Sequence, residues 1–334
     1  MLTVTKGVEM QDKSSMDMDI LERRRKLAQW YDQYETVSEI ILDTQLSGVL
    51  QKGKDWMEGF RAEMVAQLAG YVSGKKVLDI GCQYGVFSFY LAERGAAVTG
   101  MDISEKWVKR CKREAAARYP DKEFDFLVGD AQDLPFEDES FDVVVCTEVV
   151  EHVDFAGNVI AEIHRILTQD GILVLGTPNT ASYYVWIWKT LKKIIPVSLI
   201  KSAIKKVVNL SKEDIIERIR VSLPEDRREE FDIESKKLEE LSRELGIEEE
   251  GQEEFSEHIR EFSNRELVQL LSLSGFEVEK GTGFPVFPTY YFLSLRLLYR
   301  DHFVKVKDQS WWRYRAAPMV YVRARKSDKP IFHL

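Results

Sequence analysis

A regular alternation of short apolar segments with segments of helix length, between residues 77 and 176, constrains the fold of this chain more than any other feature. Alternation of this kind is typical of a parallel β-sheet covered by helices, the α/β class. Helices are predicted over Glu105–Arg118 and over Phe155–Leu167, the second with Asp154 as its N-cap and Gly171 just beyond its end. The predicted strands are Val77–Ile80, Ala97–Met101, Phe124–Val128, Phe141–Cys146 and Ile172–Gly176.

Elements on both sides of this core complete the predicted domain. One helix is predicted from Asp19 to about Leu50 and another near 60–68, because apolar residues recur there at helical spacing. Ser263 and Glu266 match a capping box, which predicts that a helix begins there and runs to Gly275. Two further strands are predicted at Phe276–Glu279 and Met319–Arg325.

Composition limits the classes of function. The 334 residues include 44% hydrophobic and 31% charged residues, as in a folded globular protein. A formal net charge of -9 argues against overall attraction to nucleic acid or to anionic lipid. Three cysteines without paired spacing, and an N-terminus that lacks the apolar core of a signal peptide, predict a reducing, cytoplasmic location.

Residues 181–257 interrupt the α/β pattern and are predicted to form a helical insertion. Its first half, 182–208, mixes aromatic and aliphatic residues with lysines and contains no acid, whereas residues 213–261 are dominated by Glu and Asp. The first half is typical of a lid over an apolar acceptor or of a helix that lies on a membrane surface. The alternative is a helical subdomain whose aromatic residues pack on the core and whose lysines pair with the acidic half.

The last segment of the chain is basic, with Trp311, Trp312 and Tyr314 interleaved. Such a combination binds RNA in some proteins and packs aromatic rings beneath basic side chains in others. We therefore predict four regions: an N-terminal helical cap (1–70), the sheet core (71–180), the insertion (181–257), and the end of the core sheet with the aromatic, basic C-terminal segment (258–334).

A glycine-rich turn follows the first predicted strand. Gly81 and Gly85 allow the chain to turn tightly and let a ligand approach the backbone. The pattern typical of a dinucleotide site is G-x-G-x-x-G, and here Gln83 stands where the middle glycine would be. The turn alone therefore indicates a nucleotide-type ligand without identifying it.

Three acidic residues follow the ends of predicted strands. Asp102 lies about 20 residues after Gly81, where a carboxylate can accept hydrogen bonds from both ribose hydroxyls. Asp79 ends the first strand, where it can face the ammonium of an amino acid, and Asp130 follows the third, where it can meet an adenine amine. Together these positions indicate a nucleoside that is joined to an amino acid.

A further group of polar residues follows the fourth strand. Glu148, Glu151 and His152 lie at positions i, i+3 and i+4, which would place all three side chains on one face of a helical turn. Three such side chains could bind a divalent metal ion.

Five segments resemble the class I S-adenosylmethionine-dependent methyltransferases, and in particular the group of the ubiquinone-biosynthesis O-methyltransferases, also called methyltransferase type 11. They are VLDIGCQYG, VTGMDIS, GDAQDLPFEDESFDVVVCTEVVEHV, IHRILTQDGILVLGTPN and REFSNRELVQLLSLSGFEV, which occur in the family's order and near its spacing. The resemblance covers somewhat under half of the chain. It implies a Rossmann-like sheet, mostly parallel with the last strand antiparallel, to which N-terminal helices and a helical insertion are added.

The resemblance also implies a binding site for S-adenosylmethionine in the core. Gln83 departs from the glycine that is commoner in the family. The resemblance implies that Gly81, Cys82 and Gly85 line the methionine part, that Asp102 holds the ribose, and that Asp130 with Ala131 holds the adenine. Asp79, Gln83 and Ile103 are the further residues predicted to bind the cofactor.

The arrangement of Glu148, Glu151 and His152 is similar to that of small-RNA 2'-O-methyltransferases and of the ubiquinone O-methyltransferases, where it implies Mg²⁺ or a related metal beside the acceptor hydroxyl. In that case His258 would be the fourth ligand. Many class I enzymes carry similar residues without a metal, and there they orient loops or the acceptor. We expect His152 to act as general base or to orient the acceptor, with Glu148 beside it.

The sequence therefore predicts a methyltransferase that acts on a hydroxyl of a small or lipidic metabolite, with peripheral membrane contact through 182–208. An RNA-modifying methyltransferase with a divalent metal is the second interpretation, supported by the Glu and His group and by the basic C-terminal segment. An NAD-dependent oxidoreductase and a non-catalytic scaffold on the same fold are the alternatives from other classes.

Overall fold

The computed structural model describes residues 13–42, 58–59, 61–122, 124–180, 220–221, 223, 225–245, 262–284 and 319–327. The helices are α1 (Lys13–Leu42), α2 (61–69), α3 (Val86–Glu93), α4 (Glu105–Arg118), α5 (Ala156–Ile166), α6 (Glu225–Glu244) and α7 (Asn264–Leu273). The strands are β1 (Lys76–Ile80), β2 (Ala97–Asp102), β3 (Phe124–Val128), β4 (Phe141–Thr147), β5 (Leu167–Pro178), β6 (Phe276–Phe284) and β7 (Met319–Lys326).

The strands form one seven-stranded sheet in the order β3-β2-β1-β4-β5-β7-β6. The pairs from β3 to β5 are all parallel, and β7 is antiparallel to both of its neighbours, β5 and β6. The predicted fold class, a mostly parallel sheet with the last strand antiparallel, is confirmed. The parallel strands place their carboxyl ends along one edge, where ligands bind in open sheets of this kind.

Helices cover both faces of the sheet, which explains the continuous apolar run in β4. Val143 and Val144 are both fully buried and point to opposite faces. Val144 packs in a cluster with Ile160 of α5 and Leu267 of α7. Val143 packs in a second cluster with residues of α2 and α3, among them Leu91. Burial on both faces therefore holds β4 at the centre of the domain.

The end of α5 differs from its prediction. Phe155 precedes the helix without a side-chain cap, and the carboxylate of Asp154 lies 3.9 Å from Arg23 and 3.7 Å from Arg24 instead. The predicted N-cap was therefore wrong, because two guanidinium groups of α1 attract this carboxylate. Gly171 lies inside β5 and does not end the helix, because Leu167 already pairs with Phe141 in the sheet.

Helix α1 packs against α6, which comes from the acidic part of the predicted insertion. The Trp30 Nε1 group donates a hydrogen bond of 2.8 Å to Ser242 Oγ, and both side chains are buried. Val37 of α1 packs with Phe231 of α6 and with Leu223. The acidic helix thus has an apolar face, which connects it to the N-terminal helix.

Several predictions lie outside the described residues. These include the basic half of the insertion (182–208), His258, and the three aromatic residues Trp311, Trp312 and Tyr314. None of the helices within the described parts of the chain combines the length and apolar character needed to cross a bilayer.

The capping box at the start of α7 supplies a test of the fold. Ser263 Oγ accepts a hydrogen bond from the Glu266 N–H at 3.3 Å, and Glu266 Oε2 accepts one from the Ser263 N–H at 2.8 Å. We expect Ser263→Ala to lower the free energy of unfolding by about 1 kcal/mol in urea denaturation, since a helix N–H loses its partner. The control Ser272→Ala, inside the same helix, should leave the free energy unchanged or raise it. Equal effects of the two substitutions would contradict the role of the cap.

Candidate active site

Two clefts open at the carboxyl ends of β1, β2 and β4. The larger cleft has a volume of about 620 Å³ and the smaller one about 310 Å³. Gly81, Gln83 and Glu148 line both, so the two clefts meet at the glycine turn. The larger cleft is also lined by Leu27, Tyr31, Asp102, Ile103, Asp130, Ala131 and His152, and the smaller one by Glu58, Arg61, Tyr84 and Thr147.

The glycine turn has the left-handed backbone that its sequence predicts. Gly81 has φ +71°, and a Cβ atom there would lie 2.4 Å from Val149 Cγ2. Gln83 has φ 45°, so this residue adopts the conformation that a glycine would take more easily. Its N–H donates to Asp102 Oδ2 at 2.8 Å, and its carbonyl oxygen accepts a hydrogen bond from Cys111 Sγ at 3.0 Å. These bonds hold Gln83 in place and preserve the turn despite the missing glycine.

Asp79 is buried beneath the turn and only 1% exposed. Its Oδ2 atom accepts a hydrogen bond of 2.6 Å from Ser88 Oγ, whereas its Oδ1 atom is buried without a hydrogen-bond partner. Burial raises the pKa of Asp79 to about 7. A buried carboxylate oxygen without a donor fits a site that receives a cationic ligand group.

Asp102, at the end of β2, is held by two backbone groups. Its Oδ2 accepts from the Gln83 N–H at 2.8 Å, and its Oδ1 accepts from the Ser104 N–H at 2.9 Å. Burial raises the pKa of Asp102 to about 6, although these two hydrogen bonds act in the opposite direction. Each carboxylate oxygen keeps a further lone pair, so Asp102 can still accept hydrogen bonds from a diol in the larger cleft.

Asp130 and Ala131 line the other end of the larger cleft. Asp130 Oδ1 accepts from the Gln132 N–H at 2.9 Å, and its Oδ2 accepts from Arg24 Nη1 of α1 at 2.8 Å. Most of the residues predicted for the cofactor therefore line the two clefts, whereas Asp79 and Gly85 line neither. The ion pair with Arg24 was not anticipated from the sequence.

The three described members of the predicted metal-binding group are not arranged to bind a metal ion, and the fourth, His258, lies outside the described residues. Among the described residues, no three His, Cys, Asp or Glu side chains are arranged to bind a metal ion. Residues 148–152 form a turn, not a helix, and Glu148 has φ 56°. Glu151 is fully buried and accepts a hydrogen bond of 3.0 Å from Thr177 Oγ1, while Glu148 Oε1 pairs with the Arg61 guanidinium. The prediction assumed that the three side chains share one face of a helix. The left-handed backbone of Glu148 prevents a helix from forming there.

His152 and Glu148 remain at the clefts, as the catalytic prediction requires. His152 lines the larger cleft, and its ring lies perpendicular to the ring of Tyr31 at 6.4 Å between centroids. Glu148 lies between the two clefts and is fixed by its ion pair with Arg61. An imidazole and a carboxylate thus line the larger cleft together.

A polar network that was not predicted from the sequence surrounds Arg61 in α2. Besides Glu148, the guanidinium contacts Glu58 Oε1 at 3.3 Å and Tyr321 Oη at 3.1 Å, and Tyr84 Oη donates to Glu58 Oε1 at 3.1 Å. Although burial opposes it, the surrounding Tyr321, Glu148 and Glu58 raise the pKa of Arg61 above its usual range. No spacing rule connects these residues, because they come from residues 58–59, α2, the glycine turn, the turn after β4, and β7.

The buried Asp79 predicts a measurable dependence of stability on pH. Because the pKa of Asp79 is about 7 in the folded chain against 3.8 ordinarily, the folded state keeps a proton that the unfolded state has lost between these values. Stability contributed by this group is therefore lost as pH rises towards 7. We expect Asp79→Asn to unfold at a higher temperature than the wild type at about pH 8, and by a smaller margin at about pH 5. The exposed Asp125→Asn is the control, and a margin independent of pH would refute the assignment.

Comparison with known proteins places these residues in a family. Residues 78–175 match the family model described as a methyltransferase domain. The ubiquinone biosynthesis O-methyltransferase of Pasteurella multocida is 34% identical over 129 residues, which cover 36% of this chain and 52% of that protein. The phthiotriol/phenolphthiotriol dimycocerosates methyltransferase 1 of Mycobacterium ulcerans is 38% identical over 105 residues, covering 31% of this chain and 37% of that protein. The chain spans about half, or less, of the length of these relatives.

Solved structures agree with the fold. The magnesium protoporphyrin IX methyltransferase of Synechocystis, solved with bound S-adenosylhomocysteine (SAH), superposes with a TM-score of 0.52 and 14% identity, covering 90% of this chain and 98% of that one. The antiparallel β7 between β5 and β6 also departs from the 3-2-1-4-5-6 order of the classic dinucleotide-binding sheet. The chain therefore carries a domain of the class I S-adenosylmethionine-dependent methyltransferases, as its sequence motifs predicted.

Proposed function

We propose that this protein transfers the methyl group of S-adenosylmethionine to a hydroxyl oxygen of a small or lipidic metabolite. The observation that carries the proposal is the buried Asp79 beneath the glycine turn, with one carboxylate oxygen that has no donor. Asp102 and Asp130 follow at the ends of the neighbouring strands and line the same cleft. These carboxylates match the ammonium, the ribose hydroxyls and the adenine amine of such a cofactor.

Residues of the two clefts, together with the buried Asp79, fit the individual parts of the cofactor. Asp79 would stabilise the α-ammonium, because its Oδ1 atom gains a donor and its raised pKa falls when a cation approaches. Arg61 lines the smaller cleft beside Gly81 and would attract the α-carboxylate. Asp102 would hold the ribose through the lone pairs that Gln83 and Ser104 leave open.

The sulfonium of bound S-adenosylmethionine supplies an electrophilic methyl group, so the protein needs only to align an acceptor and remove its proton. His152 suits the second task, since imidazole titrates near neutral pH and this side chain lines the larger cleft. Tyr31 contacts the His152 ring edge to face and fixes its orientation. Glu148, held by Arg61, would accept a hydrogen bond from the acceptor or from the imidazole.

The proposed acceptor class rests on the relatives and on the lining of the larger cleft. The names of the relatives refer to ubiquinone biosynthesis and to phthiotriol dimycocerosates. Val149 and Val153, on either side of His152 in the sequence, add apolar side chains to the larger cleft. We propose that the insertion (181–257) completes the acceptor site and that its basic part, 182–208, contacts a membrane surface when the acceptor is lipidic.

Neither the metal-dependent RNA methyltransferase nor the NAD-dependent oxidoreductase gains support. The described residues do not fit a metal site, so we derive no step through a metal ion. The methyltransferase family match and the strand order both argue against a dinucleotide enzyme. Calorimetric titration with SAH and with NAD separates these possibilities, and tight binding of NAD without SAH would overturn the proposal.

Catalysis can be tested with tritium-labelled S-adenosylmethionine and a panel of catechols that carry alkyl chains of increasing length. We expect label to transfer to an extractable product, and His152→Ala to lower kcat by about 100-fold or more, as for loss of a general base. The SAH dissociation constant of this variant should stay within about twofold of the wild type, because His152 serves the acceptor.

Two controls accompany this assay. Glu137→Gln, at an exposed carboxylate, should leave the rate unchanged, whereas Glu148→Gln should lower it. Each reaction is repeated with EDTA, and loss of turnover on chelation would revive a metal-dependent mechanism. Full turnover by His152→Ala would show that this residue is not the base.

Binding to the glycine turn has its own test. Gly81→Ala would place a Cβ atom 2.4 Å from Val149 Cγ2 at a residue with φ +71°, so the turn must shift. We expect SAH affinity in isothermal titration calorimetry to fall by about tenfold or more. The matched control is Gly157→Ala in α5, where a Cβ atom meets nothing within 4 Å and helix propensity improves. Wild-type affinity in the folded Gly81→Ala protein would rule out close backbone approach of the cofactor.

A further inference from the structure

We propose that α1 clamps the adenosine half of the larger cleft and that Arg24 is its positioning residue for the adenine-binding carboxylate. This inference rests on the proposed function, since it assumes that Asp130 meets the adenine. It assigns a role in cofactor affinity to a helix that precedes the methyltransferase core.

The first anchor of the clamp is at the adenine end. Arg24 Nη1 donates to Asp130 Oδ2 at 2.8 Å, and Arg24 Nε lies 3.7 Å from Asp154 Oδ2. The side chains of Arg24 and Asp130 are 23% and 28% exposed, so solvent screens their attraction only in part. Together with the Gln132 N–H on the other oxygen, Arg24 fixes the Asp130 carboxylate and keeps a lone pair of each oxygen available for an amine.

The second anchor is at the ribose end. Asp32 Oδ1 accepts hydrogen bonds from Ser104 Oγ at 2.5 Å and from the Lys106 N–H at 3.1 Å. These donors lie at the start of α4, where a carboxylate is favoured by the helix dipole. The Ser104 N–H itself donates to Asp102, so α1 contacts the residue that orients the ribose carboxylate.

Between the anchors, α1 presents one face to the cleft. Arg24, Leu27 and Tyr31 follow each other at i, i+3 and i+7, which places them on the same side of a helix. Leu27 and Tyr31 line the larger cleft together with Asp102 and Asp130. The part of the cleft that α1 covers is therefore bounded by the ribose and adenine carboxylates.

The other contacts of α1 connect this clamp to α6. Trp30 binds Ser242, and Gln33 Nε2 donates to Glu234 Oε2 at 2.6 Å. These contacts thus connect the described helix of the insertion to the helix that covers part of the larger cleft. Because Arg24 contacts Asp130 and not Glu148, its loss should weaken cofactor binding without slowing the chemical step.

The test compares Arg24→Gln with Arg25→Gln in the full-length protein. Arg25 lies on the same helix, is 71% exposed and pairs only with Glu22 at 3.7 Å among the ion pairs of the described residues, so it controls for loss of one positive charge. We expect Arg24→Gln to raise the SAH dissociation constant by about tenfold, as for loss of a charge-assisted hydrogen bond, and Arg25→Gln to leave it within about twofold. Arg24→Lys should recover part of the affinity, since it restores the charge without the planar fork.

Kinetics add a readout that a general loss of stability would not produce. The KM for S-adenosylmethionine should rise in Arg24→Gln while kcat at saturating cofactor stays unchanged. Asp32→Asn tests the other anchor by the same titration, and circular dichroism spectra check that each variant folds. If the wild type binds no SAH, the proposed function fails. If the wild type binds SAH and neither Arg24→Gln nor Asp32→Asn differs from Arg25→Gln, the clamp is refuted.

Discussion

The parallel register of β1 with β2 and β4 is the constraint on which the site depends. Ile80 pairs with Met101 on one side and with Cys146 on the other, so the three strands end at the same level of the sheet. The register of β4 cannot shift by one residue, because its fully buried valines would then exchange the faces on which they pack. The turns that follow these three strands therefore lie side by side, and the polar groups of one turn are close in space to those of the next.

Burial of carboxylates is the cost of this arrangement. Asp79 is almost inaccessible and Asp102 is 7% exposed, and the pKa of each is raised because water is excluded. Ser88 and two backbone N–H groups compensate part of the desolvation, but one oxygen of Asp79 has no donor. Such a group lowers the stability of the empty domain and raises the affinity for a cation, a compromise that binding sites commonly show.

The positions of Glu148, Glu151 and His152 show a limit of spacing arguments. The i, i+3, i+4 pattern of Glu148, Glu151 and His152 implies proximity only if the segment is helical. The positive φ of Glu148 turns the chain, and the buried Thr177 hydroxyl draws Glu151 into the core. Both causes are tertiary, because they depend on which groups β5 and α2 bring to this turn.

The sequence by itself determined the sheet, its strand segments, and the positions of Gly81, Asp102 and Asp130 at the cleft beside the carboxyl ends of the strands. Apolar periodicity and the conformational freedom of glycine depend on a few neighbouring residues, so strands and tight turns can be predicted from the sequence. It also determined the capping box of α7, which forms as expected.

Only the tertiary structure decided that Arg24 binds Asp130, that Arg61 joins Glu58, Glu148 and Tyr321, and that α1 packs on α6. The partners of these contacts are separated by up to 260 positions in the chain, as Arg61 and Tyr321 show. The long side chain of arginine can bind any acceptor that the packed elements bring near it. A local sequence pattern therefore does not predict which acceptor this is.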